Sequence, residues 1–285
     1  YLTDVTVILN FYNKPVEMLD MQMKALQKQS VVPKYIWGCF LGCKDDTLLN
    51  AFLKWKDKFQ HLHYIVSDFN FKYIGRYQLA LTAPTEYIIV LDDDRFPNED
   101  FIKRTREILV KKNCIVGQYG WILDDIKMDI NGLFVFPNWI INIKQKGISF
   151  NYNKVNLYSN NITKEWNDMN NACSVTEGYI ETNMIYEDTQ DDDLKNDTLL
   201  NVDYLCGGMS FRKSTLYTLF NSEIITTDTG EDIIFCLKAK KAGIPVYCLA
   251  PEYNEYLFAD DRNISSTSSL RVLKQRTMII REMLK

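Results

Sequence analysis

Three consecutive aspartates, Asp92-Asp93-Asp94, follow directly after the apolar run Tyr87–Leu91. Alternate side chains of an extended chain point the same way, so we expect Asp92 and Asp94 to converge while Asp93 points elsewhere. Two carboxylates suit a hard divalent cation, which completes its shell with water and substrate phosphate oxygens. The triplet alone also fits a solvated acidic turn. Its position between a strand and a helix favours a metal site that neutralises charge on a diphosphate leaving group.

A second carboxylate pair, Glu231-Asp232, stands at the start of a predicted helix. A carboxylate held there could take the proton from an attacking hydroxyl. Acidic residues also stabilise the first turn of a helix, and the pair taken alone fits that role better. The acidic run Asp191-Asp192-Asp193 follows no strand, and we interpret it as a solvated loop.

Histidine and cysteine chemistry is poorly represented. The two histidines, His61 and His63, are too few for a zinc hydrolase or a histidine-based triad, and we expect structural or surface roles for both. The seven cysteines are scattered without a CxxC pair. This spacing indicates reduced, buried thiols in a cytosolic setting.

The first 110 or so residues alternate between strand and helix patterns, and this alternation must position the aspartates. Strands are predicted over 5–9, 35–41, 63–66 and 87–91, and helices from Pro15, over 46–59 and 73–83, and from the segment 97–100. We place Pro15 in the first turn of its helix, and Glu99 and Asp100 in the first turn of theirs. The fold class is α/β, with a mostly parallel central sheet covered by helices on both faces. Ligands of such sheets gather at the carboxyl ends of the strands, where Asn10 and Asp92 lie.

The second half of the chain is less regular. Residues from about 145 to 200 are rich in Asn, Asp, Tyr and Thr and are interpreted as an insertion or lid. A strand is predicted over 202–211 around Gly207-Gly208, a helix over 231–242 that is closed by Gly243, and a strand over 246–249. We predict one domain over 1–255 and a helical tail over 256–285. The amphipathic basic helix from Ser269 is expected to dock on the domain rather than on a membrane surface.

Bulk properties exclude several classes of function. The net charge is −4 and no long basic run occurs, which argues against a nucleic-acid partner. No apolar stretch of about 18 residues is present, so no transmembrane segment is predicted. The chain begins at Tyr1 without Met. We expect a cytoplasmic protein, at a membrane surface or free of it, and the Golgi lumen if an N-terminal anchor has been removed.

Several segments occur in a characteristic order. They are Val5–Pro15, Gly75–Leu81, Ile88–Asp94, Cys206–Ser214, Gly230–Gly243 and Val246–Pro251. Together they resemble the GT-A glycosyltransferases, especially the family 2-like branch, and the resemblance covers most of residues 1–255 apart from the insertion. It implies a Rossmann-like domain that transfers a sugar from a nucleotide diphosphate to an acceptor hydroxyl. The implied cofactor is Mn²⁺ or Mg²⁺, the donor a UDP- or GDP-sugar, and the acceptor a glycan, a lipid-linked molecule or a protein.

The resemblance also implies roles for individual residues. Asp232 would be the catalytic base with Glu231 beside it, Asp94 would ligate the metal, and Asp92 would be shared between the metal and the ribose. The residues implied in nucleotide-sugar binding are Asn10, Tyr12, Asn13, Gly75, Arg76, Asp92, Asp93, Gly207 and Gly208.

Departures from the family pattern keep alternatives open. The segment Cys39–Cys43 lacks the acidic residues that commonly follow the second strand of the family. In addition, no histidine follows His63 to serve as a metal ligand, and Asp260 or Asp261 could take that role. The triple aspartate also resembles exostosin-like, retaining transferases. The main hypothesis is inverting transfer with Asp232 as base. The alternatives are retaining or nucleotidyl transfer, and a non-catalytic nucleotide- or carbohydrate-binding module. The segment Asn10–Asn13 lacks the glycine-rich loop of a nucleotidyltransferase.

Overall fold

A computed structural model of the chain describes residues 2–12, 14–43, 46–93, 95–121, 199–221, 229–249 and 270–283, together with four two-residue strands between 127 and 149. The strands of the main sheet are β1 (Leu2–Asn10), β2 (Val32–Leu41), β3 (Leu62–Ser67), β4 (Tyr87–Leu91), β5 (Ile115–Trp121), β10 (Leu199–Asn201), β11 (Tyr204–Arg212) and β12 (Val246–Leu249). Two small hairpins pair β6 (Lys127–Met128) with β7 (Phe134–Val135), and β8 (Lys144–Gln145) with β9 (Ile148–Ser149).

Seven α-helices surround the sheet within the described ranges. They are α1 (Val16–Gln27), α2 (Thr47–Leu53), α3 (Ile74–Ala80), α4 (Phe101–Lys111), α5 (Leu216–Phe220), α6 (Glu231–Lys241) and α7 (Leu270–Met283). A 3-10 turn, Lys213–Thr215, leads from β11 into α5.

The main sheet has eight strands in the order β10-β12-β5-β11-β4-β1-β2-β3. Strand β1 pairs in parallel with both β2 and β4, β2 with β3, and β5 with β12. Strand β11 is antiparallel to both of its neighbours, β4 and β5, and β10 is antiparallel to β12. The predicted mostly parallel α/β fold is therefore confirmed. Because β1, β2 and β4 are parallel, their carboxyl ends lie at one edge of the sheet.

Both faces of the sheet are buried, which explains why the central strand β4 is apolar throughout. Ile8 and Ile88 belong to a core with side chains of α3, α5, α6 and α7. Val7 and Ile89, their immediate neighbours, belong to a second core with side chains of α1, α2 and α4. Successive residues of a strand point to opposite faces, so each central strand supplies both cores.

Several element boundaries differ from the predicted ones. Pro15 precedes α1 rather than standing in its first turn. Helix α4 begins at Phe101, so Glu99 and Asp100 come before the helix and not in its first turn. Both residues are bonded to Ser30 in the loop after α1, whose backbone N–H donates to the Glu99 carbonyl oxygen at 2.7 Å and whose Oγ donates to Oδ1 of Asp100 at 2.6 Å. The predicted helix over 46–59 ends at Leu53 and continues as turns with i to i+3 hydrogen bonds.

The predicted insertion over 145–200 lies outside the described residues except for short strand segments at its ends. The division into a domain over 1–255 and a tail stays a prediction. No helix in the described ranges is both long and apolar enough to cross a bilayer.

The C-terminal helix α7 packs on the core. Ile279, Ile280 and Met283 are all less than a tenth exposed, whereas Met278 on the same helix is 67% exposed. The buried residues share one face of the helix and join the core that contains α6. The amphipathic pattern of the tail therefore reflects docking on the domain.

We predict that Ile280→Ala lowers the free energy of unfolding by about 2–5 kcal/mol, because it removes a fully buried side chain from a packed core. Met278→Ala on the exposed face is the matched control, expected to change stability by no more than about 0.5 kcal/mol. Urea unfolding followed by circular dichroism measures both. Equal effects of the two substitutions would show that α7 does not dock in this orientation.

Candidate functional site

The candidate site lies where the carboxyl end of β4 meets the start of α6. Asp92 is the first residue after β4, and its backbone N–H donates to the carbonyl oxygen of Gly207 on β11 at 3.1 Å. The neighbouring Gly208 pairs with Leu91 in the sheet register. The predicted glycine pair therefore lies directly beside the first aspartate of the triplet.

Gly207 is required by its conformation and by its surroundings. Its φ of +86° lies in the left-handed region that disfavours other residues. A Cβ at this position would also lie 2.6 Å from Nε of Arg95, a side chain that is only 8% exposed. The glycine thus allows the chain after the aspartate triplet to pack against β11.

Gln22 of α1 fixes the backbone of the aspartate turn. Its Nε2 donates to the carbonyl oxygens of Asp92 at 2.7 Å and Arg95 at 2.9 Å, and the residue is fully buried. Sequence analysis missed this residue. The available signal was a polar side chain on the apolar face of α1, between Leu19 and Met23, and that signal is too weak to assign a role.

Arg76 of α3 connects the two acidic segments of the site. Its Nη1 forms an ion pair with Oδ1 of Asp92, and its Nη2 lies 2.8 Å from Oε1 of Glu231. The residue is 4% exposed. Burial opposes the charge on Arg76, but Asp92 and Glu231 together hold its pKa above the usual value. The guanidinium is therefore occupied by two carboxylates, and its predicted contact with a nucleotide stays a prediction.

Glu231 and Asp232 form the first turn of α6, preceded by Gly230 with a φ of +78°. Both carboxylates are buried, with exposures of 5% and 4%. Asp232 Oδ1 accepts from the backbone N–H of Ile233 at 2.9 Å, and its Oδ2 lies 3.3 Å from Nη2 of Arg276 on α7. Arg276 was also missed by sequence analysis, because nothing local connects the tail helix to α6.

The pKa of Glu231 is set by its burial and by the charged side chains around it. Burial, and then the neighbouring charge of Asp232, raise the pKa of Glu231 to about 7, while Arg76 and Arg276 act in the opposite direction. The close ion pair with Arg76 would by itself favour the carboxylate. We conclude that burial prevails, because three carboxylates share two guanidinium groups in a site with little water.

The other predicted site residues lie at or after the ends of β1 and β4 and on α3, or fall outside the described residues. Asn10 ends β1 and is half-buried, Tyr12 is 41% exposed, and Asp93 is half-buried. Gly75 is buried in α3. Asn13 and Asp94 lie outside the described residues, and Asp94 is the main expected metal ligand.

No group of three His, Cys, Asp or Glu side chains within the described ranges could hold a metal by itself. Asp92 nevertheless offers a partly exposed carboxylate at the strand end. Because Mg²⁺ and Mn²⁺ need only one or two protein carboxylates when substrate phosphates complete the shell, the site chemistry fits such an ion.

The described histidine and cysteine side chains supply no reactive group to this site. His61 and His63 pack beside the ring of Tyr35, with centroid distances of 5.1 and 5.7 Å, which agrees with structural roles. The cysteines whose side chains the structure describes are free thiols. Burial raises the pKa of the Cys39 thiol to about 12 despite the nearby charge of Arg76, so it is not a nucleophile at neutral pH.

This arrangement places two chemical functions in one connected cluster. Asp92 presents a carboxylate at the strand end, where parallel sheets bind ligands. Asp232 presents a second, oriented carboxylate that can accept a proton. Arg76 ties the two segments together through Asp92 and Glu231.

Solved structures with the same fold are known. The chain resembles the crystal structure of S. aureus TarS 1-349 in complex with UDP-GlcNAc, with a TM-score of 0.52 and 14% identity over 98% of this chain and 65% of that one. It also resembles the crystal structure of S. aureus TarS, with a TM-score of 0.50 and 15% identity over 98% of this chain and 42% of that one. The chain therefore spans less than two thirds of the length of either TarS chain.

No protein-family model matches the sequence, and a comparison with curated proteins gives no match. At such low identity the likeness to TarS, a GT-A glycosyltransferase, concerns the fold. The resemblance inferred from the ordered sequence segments and the topology of the eight-stranded sheet agree with it. The chain has the GT-A glycosyltransferase fold.

Proposed function

We propose that this protein transfers a sugar from a nucleotide-diphosphate sugar to an acceptor hydroxyl. The observation that carries the proposal is the ion-pair chain Asp92–Arg76–Glu231, which connects the end of β4 to the start of α6 in a GT-A fold. The TarS structure with the same fold contains UDP-GlcNAc, which supports a UDP-GlcNAc-like donor for this chain.

The donor side of the site would be built on the aspartate turn. Oδ1 of Asp92 is bound by Arg76, while no described residue bonds its Oδ2. We assign this oxygen, with Asp94, as the ligands of Mn²⁺ or Mg²⁺. When bound, the ion would neutralise charge on the departing diphosphate. Asn10, Tyr12, Asn13, Gly75, Asp93, Gly207 and Gly208 would line the donor pocket around it.

The acceptor side would use Asp232 as general base. The carboxylate takes the proton of the acceptor hydroxyl as that oxygen bonds to the anomeric carbon. The bond from the anomeric carbon to the diphosphate oxygen breaks on the opposite face, and the nucleoside diphosphate leaves. This displacement inverts the anomeric configuration. Retaining transfer by the same fold would give the other anomer, and a binding module would give no product.

Donor binding is tested by thermal shift with a panel of UDP-, GDP- and dTDP-sugars, each with and without Mn²⁺. A donor present at 100 times its dissociation constant stabilises the folded state by about 2.7 kcal/mol, so the melting temperature rises measurably. We expect a UDP-sugar to give the largest shift, increased by Mn²⁺. No shift with any member of the panel contradicts nucleotide-sugar binding.

We predict that Asp232→Asn lowers transfer by about 100-fold or more while donor affinity stays nearly unchanged, because the amide cannot accept the proton. Asp4→Asn, which changes an exposed aspartate in an ion pair with Arg106, is the matched control and should keep full activity. Product release is measured with the preferred donor, and the anomer is assigned by NMR. Full transfer by Asp232→Asn, or a product of retained configuration, rules out this role for Asp232.

We predict a pH-dependent effect of Glu231→Gln on stability. With a pKa of about 7 in the folded protein and an ordinary value of 4.5, Glu231 holds a proton in the folded state that the unfolded chain has already released. Stability contributed by this site is therefore present at low pH and falls as pH rises through the range between the two values. Because a glutamine side chain does not ionise, Glu231→Gln removes this loss of stability at higher pH.

The melting temperature of Glu231→Gln relative to the unsubstituted protein should consequently rise from about pH 5 to about pH 7 and level off above that range. Glu86→Gln is the control, because Glu86 pairs with Arg212 at the surface and its side chain is 54% exposed. A constant difference across the pH range would show that Glu231 is ionised throughout.

A further inference from the structure

We propose that Arg276 of the C-terminal helix is a positioning residue for the reaction, holding the carboxylate of Asp232 in the orientation in which it accepts a proton. This inference rests on the proposed function of Asp232 as base. The residue lies 44 positions along the chain from Asp232, and its Nη2 lies 3.3 Å from Oδ2 of that carboxylate.

The two oxygens of Asp232 are held from two different elements. Oδ1 accepts from the backbone of α6 itself, at Ile233 N, and Oδ2 meets the guanidinium from α7. Two contacts on opposite oxygens restrict rotation of the carboxylate about its last torsion. An oxygen with one long hydrogen bond retains a second lone pair, so Oδ2 can still take a proton from a hydroxyl.

Packing holds Arg276 in place. The residue lies three positions before Ile279, four before Ile280 and seven before Met283, which is the spacing of one helix face. All three apolar residues are buried in the core shared with α6. The guanidinium is therefore held by a docked helix rather than by a mobile surface chain, and its side chain is only 14% exposed.

Gly230 makes this close approach possible. A Cβ on Gly230 would lie 2.5 Å from Cδ1 of Ile279 and 3.8 Å from Cγ of Arg276. A side chain at this position would therefore displace the end of the Ile279 side chain that packs beside Arg276. The glycine serves two purposes, since it also adopts the positive φ from which α6 starts.

The charges around Asp232 make the guanidinium necessary. The titratable groups that interact with Asp232 are Glu231 on its own helix, Tyr77 on α3 and Arg276 on α7. Arg76 is engaged by Asp92 and Glu231. In the described part of the chain, the cation that contacts Asp232 is thus Arg276. Burying a carboxylate is costly unless it is paired, and Arg276 supplies that pairing for Asp232.

The test compares Arg276→Gln and Arg276→Lys with the unsubstituted protein in a transfer assay at saturating and limiting donor. Arg276→Gln should lower kcat by about 10- to 100-fold with little change in KM for the donor, because the base is misplaced and not the substrate. Arg276→Lys keeps the charge and one donor, and it should recover part of the kcat that Arg276→Gln loses.

The matched control is Arg106→Gln, which removes one guanidinium from an exposed ion pair with Asp4 and should leave kcat and KM unchanged. A double-mutant cycle of Arg276→Gln with Asp232→Asn, followed by denaturant unfolding, tests the contact without any assay of transfer. The shifts in unfolding midpoint should be non-additive if the two side chains are in contact.

The possible outcomes separate the two proposals. Additive midpoint shifts, or an unchanged kcat in Arg276→Gln, overturn the role of Arg276 while leaving glycosyl transfer in place. Absence of transfer by the unsubstituted protein with every donor of the panel overturns the proposed function, and this role with it. A loss of kcat at constant KM that Arg276→Lys partly restores, together with non-additive midpoints, supports the inference.

Discussion

The buried ion pairs of Arg76 are the interaction on which the rest of the candidate site depends. One guanidinium contacts Asp92 after β4 and Glu231 at the start of α6, two segments separated by well over a hundred residues in the chain. Buried charges are costly unless they are paired, and a pair adds less to stability than to the definition of one arrangement. The planar guanidinium suits this task because it bonds two carboxylates at fixed angles. Movement of α6 relative to the aspartate turn would remove one of the two carboxyl partners of Arg76.

Charge balance explains why a third element is needed. Glu231 and Asp232 are buried, Asp92 is partly exposed beside them, and one guanidinium does not compensate three carboxylates. Two consequences follow from the geometry. The rise in the pKa of Glu231 lets that side chain hold a proton near neutral pH, which lowers the net negative charge of the cluster. Helix α7 supplies the second guanidinium, so the C-terminal helix becomes a part of the site as well as of the core.

The fold was predictable because its signals are local and repeated. The apolar run before the aspartate triplet becomes a strand of the predicted length, since a strand buried on both faces needs no polar residue. Boundaries failed where tertiary contacts override propensity, as at Asp100, whose carboxylate is drawn to Ser30 before the helix begins. The ordered segments also located the aspartate turn, the glycine pair and the acidic start of α6. The roles assigned to those residues stay predictions, and Asp94 and Asn13 lie outside the described residues.

The two site residues that sequence reasoning missed are informative because each acts on a partner from a distant element. Gln22 bonds backbone oxygens of the aspartate turn from α1, and Arg276 meets Asp232 from α7. No local sequence pattern predicts the partner of a glutamine on an apolar helix face, or the partner of an arginine in a basic tail. Pairwise contacts across the fold are set by packing: Ile279, Ile280 and Met283 dock α7 on the core, and Arg276 on the same helix meets Asp232. A local sequence motif can therefore predict a catalytic base. The residues that orient the base cannot be predicted in this way, because they depend on which helix packs beside it in the folded protein.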